Sequence, residues 1–336
     1  MTHFPLGVAV AVEGNANLLS NQQRQAIVSG NFSQISAENQ MKMNYYNEST
    51  FANPLADQLI SWAKTNNLSV HGHALVWHPD YQQPTWAKNP GSDFKTKFVN
   101  HVRGVATKHK GQVVSWDVVN EALYDAADAG GQSAPPQAEY YRHSVFHNQY
   151  NGPSYIVEAF KTARQADPTA ELYYNDFNTE ENGNKTTGLV NLITYLKQQQ
   201  TPIDGVGFQM HVLPDWASLA NIEASWQKII NLDPTLKIKL TEMDVRVNNK
   251  YANPPKVIQS CNNCPELQQQ KQRYKDIIAA YYRVVPPDRR GGITIWGIAD
   301  PDSWFASDPD WPLLWNASLQ PKPAFDGVKE ALQAGQ

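Results

Sequence analysis

Apolar positions along the chain fall into short continuous runs separated by longer amphipathic stretches. Eight runs stand at 6–12, 34–37, 68–76, 113–119, 171–174, 205–209, 238–241 and 292–295. Short runs rich in Val, Ile and Leu suit strands that are covered on both faces. The stretches between them repeat apolar residues at helical spacing, as at 54–65, 93–110, 154–167, 185–200, 218–232 and 265–284. Asp93 and Ser218 stand where N-caps belong, and Pro168 follows the helix expected to end near Asp167. Alternating strands and helices predict a parallel sheet built from βαβ units. Eight such units in 336 residues predict an α/β fold, the closed (β/α)8 TIM barrel. The sequence holds no internal repeat or linker, so residues 1–336 read as one catalytic barrel domain.

The ends of the runs carry the chemistry. Glu13 follows the first run, and Glu38 and Asn39 the second. The third ends among His73, Trp77 and His78, the fourth at Asn120 and Glu121, and the fifth at Asn175 and Asp176. Gln209 and His211 close the sixth, Glu242 and Asp244 the seventh, and Trp296 the eighth. In a barrel all these ends converge on one face, where active sites form. Taken singly, His73 or His211 is more often a satisfied structural histidine. Trp77 or Trp296 alone is more often core, and Asn39 with Lys42 a solvated pair. Polar or aromatic residues at eight consecutive strand ends argue otherwise. Glu121 and Glu242 end buried runs with no local partner in view, and two carboxylates over one pocket suit a glycosidase.

Composition narrows the field. The hydrophobic fraction is 41% and the charged fraction 18%, which suits a globular protein. A net charge of −4 and the lack of a basic cluster argue against nucleic acid as a partner. No apolar run reaches about 18 residues, so no membrane helix is expected. Residues 4–12 are apolar but short, lack a basic flank and are followed by Glu13, so they read as a strand and not a signal peptide. The favoured location is outside the cell, with any export signal removed or never present. The cysteines, Cys261 and Cys264, lack the further ligands of a zinc site and read as a local disulfide or two free thiols. No phosphate loop or ligand cluster is present, and no metal or cofactor is required. Two loops, at 124–140 and 247–265, follow the proposed catalytic strands and should rim the cleft.

These blocks resemble glycoside hydrolase family 10, the retaining endo-β-1,4-xylanases, from about Leu6 to Leu332. The matching motifs are Ser36-Ala37-Glu38-Asn39-Gln40-Met41-Lys42, Gly72-His73-Ala74-Leu75-Val76-Trp77-His78 and Trp116-Asp117-Val118-Val119-Asn120-Glu121-Ala122. Tyr174-Asn175-Asp176, Gly207-Phe208-Gln209-Met210-His211, Thr241-Glu242-Met243-Asp244, Trp296-Gly297-Ile298-Ala299-Asp300 and Ser303-Trp304 complete the set. The resemblance implies Glu121 as acid/base and Glu242 as nucleophile. It implies that Asn120 binds the 2-hydroxyl of the cleaved sugar, and that His211 orients Glu242 with Asp244 behind it. Lys42, His73, Trp77, Gln209 and Trp296 would line that subsite, with Asn175 beside them. Glu38, Asn39 and Gln82 would hold the next sugar on the non-reducing side, and Trp304 would cover the glycone end. Xylan and xylo-oligosaccharides are the implied partners, bound by a monomer. The sequence departs from the family at Gln40, usually Glu, and at Met43, usually Trp or Pro. The segment from Trp77 to Trp86 looks slightly longer than usual, which bears on Gln82. Five residues precede Leu6, so the family's opening helix is expected to be missing or trimmed.

The chemistry asks for such a set. Glycoside cleavage passes through an oxocarbenium-like state. One carboxylic acid must protonate the leaving oxygen while a carboxylate attacks, with the two about 5–5.5 Å apart in a retaining enzyme. A neighbouring anionic Glu242 should raise the pKa of Glu121. The nearest rival readings are a cellulase or mannanase on the same barrel, from which a crowded glycone subsite under Trp304 distinguishes a xylanase. An inactive sugar-binding barrel would normally lack one of the two acids. A nicotinamide-dependent reductase lacks its Tyr, Lys, Asp and His set at matching strand ends.

Overall fold

The computed structural model describes residues 4–125, 140–261, 264–305 and 310–335. The predicted loop at 124–140 therefore lies almost wholly outside the described residues. Eight parallel strands form the barrel: β1 (Leu6–Val10), β2 (Gln34–Ala37), β3 (Ser69–Trp77), β4 (Ser115–Asn120), β5 (Glu171–Asp176), β6 (Gly205–Phe208), β7 (Lys237–Val245) and β8 (Arg290–Ile295). Each pairs with its neighbour in chain order. The ring closes where Leu6 and Val8 of β1 lie beside Ile293 and Ile295 of β8. Beyond β6, His211–Val212 resumes extended structure and pairs with Asp244 and Val245 of β7.

Strand β2 coincides with its predicted run, six other strands differ from theirs by one or two residues at an end, and β7 is longer than its run. Its polar members Glu242 and Asp244 are carried inside the strand, which is why the apolar run alone underestimates it.

Eight helices of ten or more residues surround the sheet among the described residues. They are α1 (Gln22–Asn31), α2 (Pro54–Thr65), α3 (Phe94–Lys108), α4 (Ser154–Ala166), α5 (Asn184–Gln198), α6 (Leu219–Leu232), α7 (Glu266–Val284) and α8 (Pro323–Ala334). Helix α2 shows why the sequence chooses these elements. The Asn53 side chain caps its first turn by accepting from Ala56 N, and Pro54 suits the first helical position. Ala56, Leu59, Ile60 and Ala63 then form one buried stripe. Ser218 caps α6 as predicted, accepting from Asn221 N at 3.1 Å. Asp93 does not cap α3; its carboxylate instead pairs with Lys97 one turn on, at 3.0 Å. Helix α1 escaped the periodicity reading because its apolar residues, Ala26, Ile27 and Val28, are consecutive.

The barrel interior is filled and partly polar. Lys239 of β7 is buried and donates to Gln34 Oε1 of β2 at 2.6 Å across the lumen. His71 of β3 meets Ser115 Oγ at 2.7 Å and Asp117 Oδ2 at 3.0 Å, both on β4. Such groups are costly to bury unless paired, and these pairs cross between strands. Close packing also dictates Gly72: a Cβ there would stand 2.2 Å from the buried ring of Trp116. Arg24 of α1 makes a two-point ion pair with Asp302, which lies after β8. Cys261 and Cys264 form a disulfide in the connection after β7.

Gly72→Ala should therefore overpack the core. We expect a loss of about 1–3 kcal/mol in denaturant unfolding. An unchanged midpoint would mean that Trp116 relaxes freely.

Candidate active site

The site lies where the strands end. Strand β4 is buried along its whole length, so Asn120 and Glu121 emerge inside the barrel mouth and not on an outer surface. The ladder slips by a residue between His73 and Val76 on the β3 side and between Asp117 and Val119 on the β5 side. Bulges of this kind re-aim side chains near sites. Glu121 itself takes a left-handed backbone conformation, with φ of 58°. A non-glycine residue rarely does so without several bonds holding it.

Glu121 and Glu242 are 8% and 4% exposed and belong to one hydrogen-bond network. Asn175 Nδ2 donates to Glu242 Oε1 at 2.7 Å and to Asn120 Oδ1 at 2.9 Å. Asn120 Nδ2 donates to Glu121 Oε1 at 3.1 Å, and Gln209 Nε2 donates to the same oxygen at 3.0 Å. The expectation that the strand-end acids lack local partners is thus corrected for Glu121, whose partner is the residue before it. Thr241 Oγ1 donates to Asn175 Oδ1 at 2.5 Å and fixes the orientation of that amide. Gly207 leaves the space: a Cβ on it would reach within 2.4 Å of Asn175 Oδ1.

The pKa values of the two carboxyls are pushed in opposite directions. Burial raises the pKa of Glu121, as do the charges of Asp176 and then Glu242, against the hydrogen bond from Gln209. Asp176 thus contributes more than Glu242, the neighbour anticipated from sequence. Burial alone would raise Glu242 as well. Instead His73, and the charge and hydrogen bond of His211, outweigh it and hold Glu242 low. His211 Nε2 stands 3.4 Å from Glu242 Oε2, and its Nδ1 is 2.8 Å from Asp244 Oδ2. Burial opposes a charged imidazole, but Asp244 and Glu242 raise His211 to about 10.

The other predicted residues gather around this pair. His73 Nδ1 meets Asp117 Oδ2 at 2.9 Å and stands 4.0 Å from Glu242. Its ring packs edge-on against Trp296 at 5.2 Å. Lys42 Nζ donates to Asn39 Oδ1 at 3.1 Å and sits 4.2 Å above the Trp77 ring. Gln82 Nε2 reaches the same Asn39 oxygen at 3.3 Å, so the longer segment before Trp86 still delivers it. Glu38 adjoins this group, its pKa raised by burial against the pull of Lys42. Trp304 is 52% exposed and donates from Nε1 to Asp244 Oδ2 at 2.9 Å, with its ring 4.9 Å from His211. It is therefore tied to the support of Glu242, a contact not foreseen from sequence.

The unusual residues also find places. Gln40 bonds Glu13, and the sulfur of Met43 lies 3.4 Å from Trp77 N. Within the stretch expected to rim the cleft, Asn249 and Lys256 both bond Asp215 after β6. Among the described residues, no cluster of three or more His, Cys, Asp or Glu could hold a metal ion, and no helix is long and apolar enough to cross a membrane. Sequence reasoning gave no role to Asp117, Tyr174, Asp176 or Arg142. Asp117, Tyr174 and Asp176 stood inside the quoted motifs, whereas Arg142 follows a stretch rich in Ala, Gly and Pro and carried no signal.

His211 couples this electrostatics to stability. Its folded pKa lies above the ordinary value, so its stabilisation is complete below about pH 6.5 and fades as pH rises toward 10. The stability gap between the parent and His211→Asn should narrow across that window. A gap that stays flat or widens would show that His211 is neutral when folded.

Comparison with known proteins agrees with the geometry. Residues 2–331 match the family model described as glycosyl hydrolase family 10. Endo-1,4-β-xylanase A of Cellvibrio japonicus is 56% identical over 342 residues, covering 99% of this chain and 56% of that protein. The chain thus spans little more than half of that curated relative. A variant of xylanase A from P. fluorescens subsp. cellulosa, solved in complex with xylopentaose, superposes with a TM-score of 0.94 at 57% identity, covering 98% of this chain and 97% of that one. Native xylanase 10B from Thermotoga maritima gives a TM-score of 0.84 at 29% identity, covering 99% and 95%. The chain belongs to glycosyl hydrolase family 10.

Proposed function

We propose that this chain is an endo-β-1,4-xylanase that hydrolyses internal bonds of xylan and xylo-oligosaccharides with retention, acting as one monomeric catalytic barrel outside the cell. The observation that carries the reading is the pair of buried carboxyls, Glu121 and Glu242, joined by one amide network and with their pKa values pushed apart, the first upward and the second downward. The xylopentaose bound by the relative supports the substrate class.

In the first step the Glu242 carboxylate attacks the anomeric carbon while Glu121 gives its proton to the glycosidic oxygen. The C–O bond breaks, the leaving sugar departs as an alcohol, and an ester joins the glycone to Glu242. Esterification removes the Glu242 charge, so the pKa of Glu121 falls and its carboxylate becomes a competent base. Glu121 then takes a proton from water, the oxygen attacks the same carbon, and Glu242 is released. Two inversions give retention. Asn120 stands beside Glu121 to bind the sugar 2-hydroxyl, a bond that strengthens in the transition state. His211, backed by Asp244, keeps Glu242 ionised and aimed. Lys42, His73, Trp77, Gln209 and Trp296 enclose the cleaved sugar, with Asn175 beneath it joining the two acids. Glu38, Asn39 and Gln82 hold the next sugar, and Trp304 crowds the glycone end against hexoses with a hydroxymethyl group.

Incubated with xylan, carboxymethyl-cellulose and mannan in parallel, the enzyme should release xylobiose and xylotriose and leave the other two nearly intact. Proton NMR should show the β-anomer first. Equal rates on cellulose would defeat the substrate assignment, and an initial α-anomer would indicate an inverting enzyme.

The two glutamates should fail differently. Glu242→Ala should abolish hydrolysis of every substrate. Glu121→Ala should lose about 10²–10⁴-fold on xylan, whose leaving group needs a proton. Its kcat/KM on an aryl xylobioside with an acidic phenol should survive, and added azide should restore turnover as the β-azide. Equal loss on both substrates with no azide effect would remove Glu121 from the acid/base role.

A further inference from the structure

The left-handed turn at Glu121 is held from behind by two fully buried residues of β5. Tyr174 Oη accepts from Ala122 N at 3.1 Å and donates to Asp176 Oδ2 at 2.5 Å. The same Asp176 oxygen accepts from Leu123 N at 3.3 Å. Asn175 O accepts from Glu121 N at 2.9 Å, so three successive amides of the turn are bonded to three successive residues of β5. On the other side Arg142 Nε donates to Glu121 O at 3.3 Å and Arg142 N donates to Ala122 O at 2.9 Å. Asp176 Oδ1 is in turn fixed by Phe177 N at 2.9 Å and by Lys185 Nζ of α5 at 2.8 Å. Neither Tyr174 nor Asp176 has any exposed surface, so neither touches substrate.

Resting on the acid/base reading of Glu121, we propose that Tyr174 and Asp176 are positioning residues for the acid: they pin the strained turn that aims its carboxyl at the glycosidic oxygen. A residue in a sparsely populated backbone region persists only when its neighbours over-determine it. Releasing one amide lets the turn relax and moves the carboxyl off the line of proton transfer, to which general acid catalysis is sensitive. Asp176 adds a second effect, because its fixed negative charge favours the protonated acid.

Several charged groups face this assembly. Glu242 of β7 and His78 after β3 approach Glu121, the latter at 3.9 Å. His78 is pushed down to about 2 by burial and by Arg142 and Lys185, so it is neutral throughout the working range. Asp125 shares Lys185 with Asp176 at 3.6 Å, and Tyr155 of α4 stays protonated. Glu180, raised by burial to about 7, titrates within the working range. Glu180→Gln is therefore the control for its share of any pH effect.

The test compares kcat/KM on xylan and on 2,4-dinitrophenyl β-xylobioside, whose leaving group needs no proton. Tyr174→Phe should lose at least about tenfold on xylan and change the aryl value less than about threefold. Asp176→Asn keeps the shape and removes the charge, so the alkaline limb of the xylan kcat/KM profile should move to lower pH. Equal losses on both substrates, or an unmoved alkaline limb, would overturn the proposal. So would failure of both variants to fold, since the two residues would then be structural. Glu121→Ala run alongside separates the two levels. If it shows no xylan–aryl split, the acid/base reading itself falls; if it does and Tyr174→Phe does not, only the positioning role falls.

Discussion

Two carboxyl groups that share one buried network cannot both carry charge at low cost. Burial penalises each anion, and each anion penalises the other. The rest of the site decides which group is favoured as the anion. His73 of β3 and His211 after β6 both favour an ionised Glu242. For Glu121 the largest contribution from a neighbouring charge comes from the anion Asp176, which favours the protonated acid. Asn175 and Asn120 join the two without erasing the difference, because an amide offers a donor and an acceptor and suits either state. Breaking this asymmetry would leave the arrangement of pockets intact and the chemistry without a starting state.

The barrel makes such asymmetry possible because each strand end contributes one or two side chains and none must do everything. That logic is why so much was legible in the sequence. Apolar runs of four to nine residues set the strands, and the first polar residue after each run pointed to the mouth. Glu121, Glu242, His211 and Asn175 could be named from position alone, since a parallel sheet must place their strand ends together. The family resemblance then supplied roles that spacing does not contain, such as the grouping of Glu38 and Asn39 with Gln82 around the next sugar.

What stayed hidden depends on distances between elements that periodicity does not encode. Asp93 occupies a capping position yet pairs with Lys97, because a side chain can choose between two local partners of similar energy. Arg142 bonds Glu121 O across an interval of 21 residues, and no sequence pattern in 124–140 signals that contact. Trp304 reads as a lid, but its indole N–H also finds Asp244. Asp176 lay in plain view as the last residue of β5. Its importance comes from the backbone amides it collects, which a sequence does not display.

The seam between β1 and β8 has a consequence for how the protein is made. Leu6 pairs with Ile293, and Arg24 grips Asp302, across nearly the full length of the chain. A polypeptide emerging N-terminus first therefore holds both glutamates long before it can close the ring around them. Until β8 is delivered, β1 and β7 each present an open edge, and Trp296 is missing from the wall beside His73. Contacts of such separation form late and slowly. The unfinished barrel thus lacks part of its site wall while its open edges are exposed to pairing with other chains.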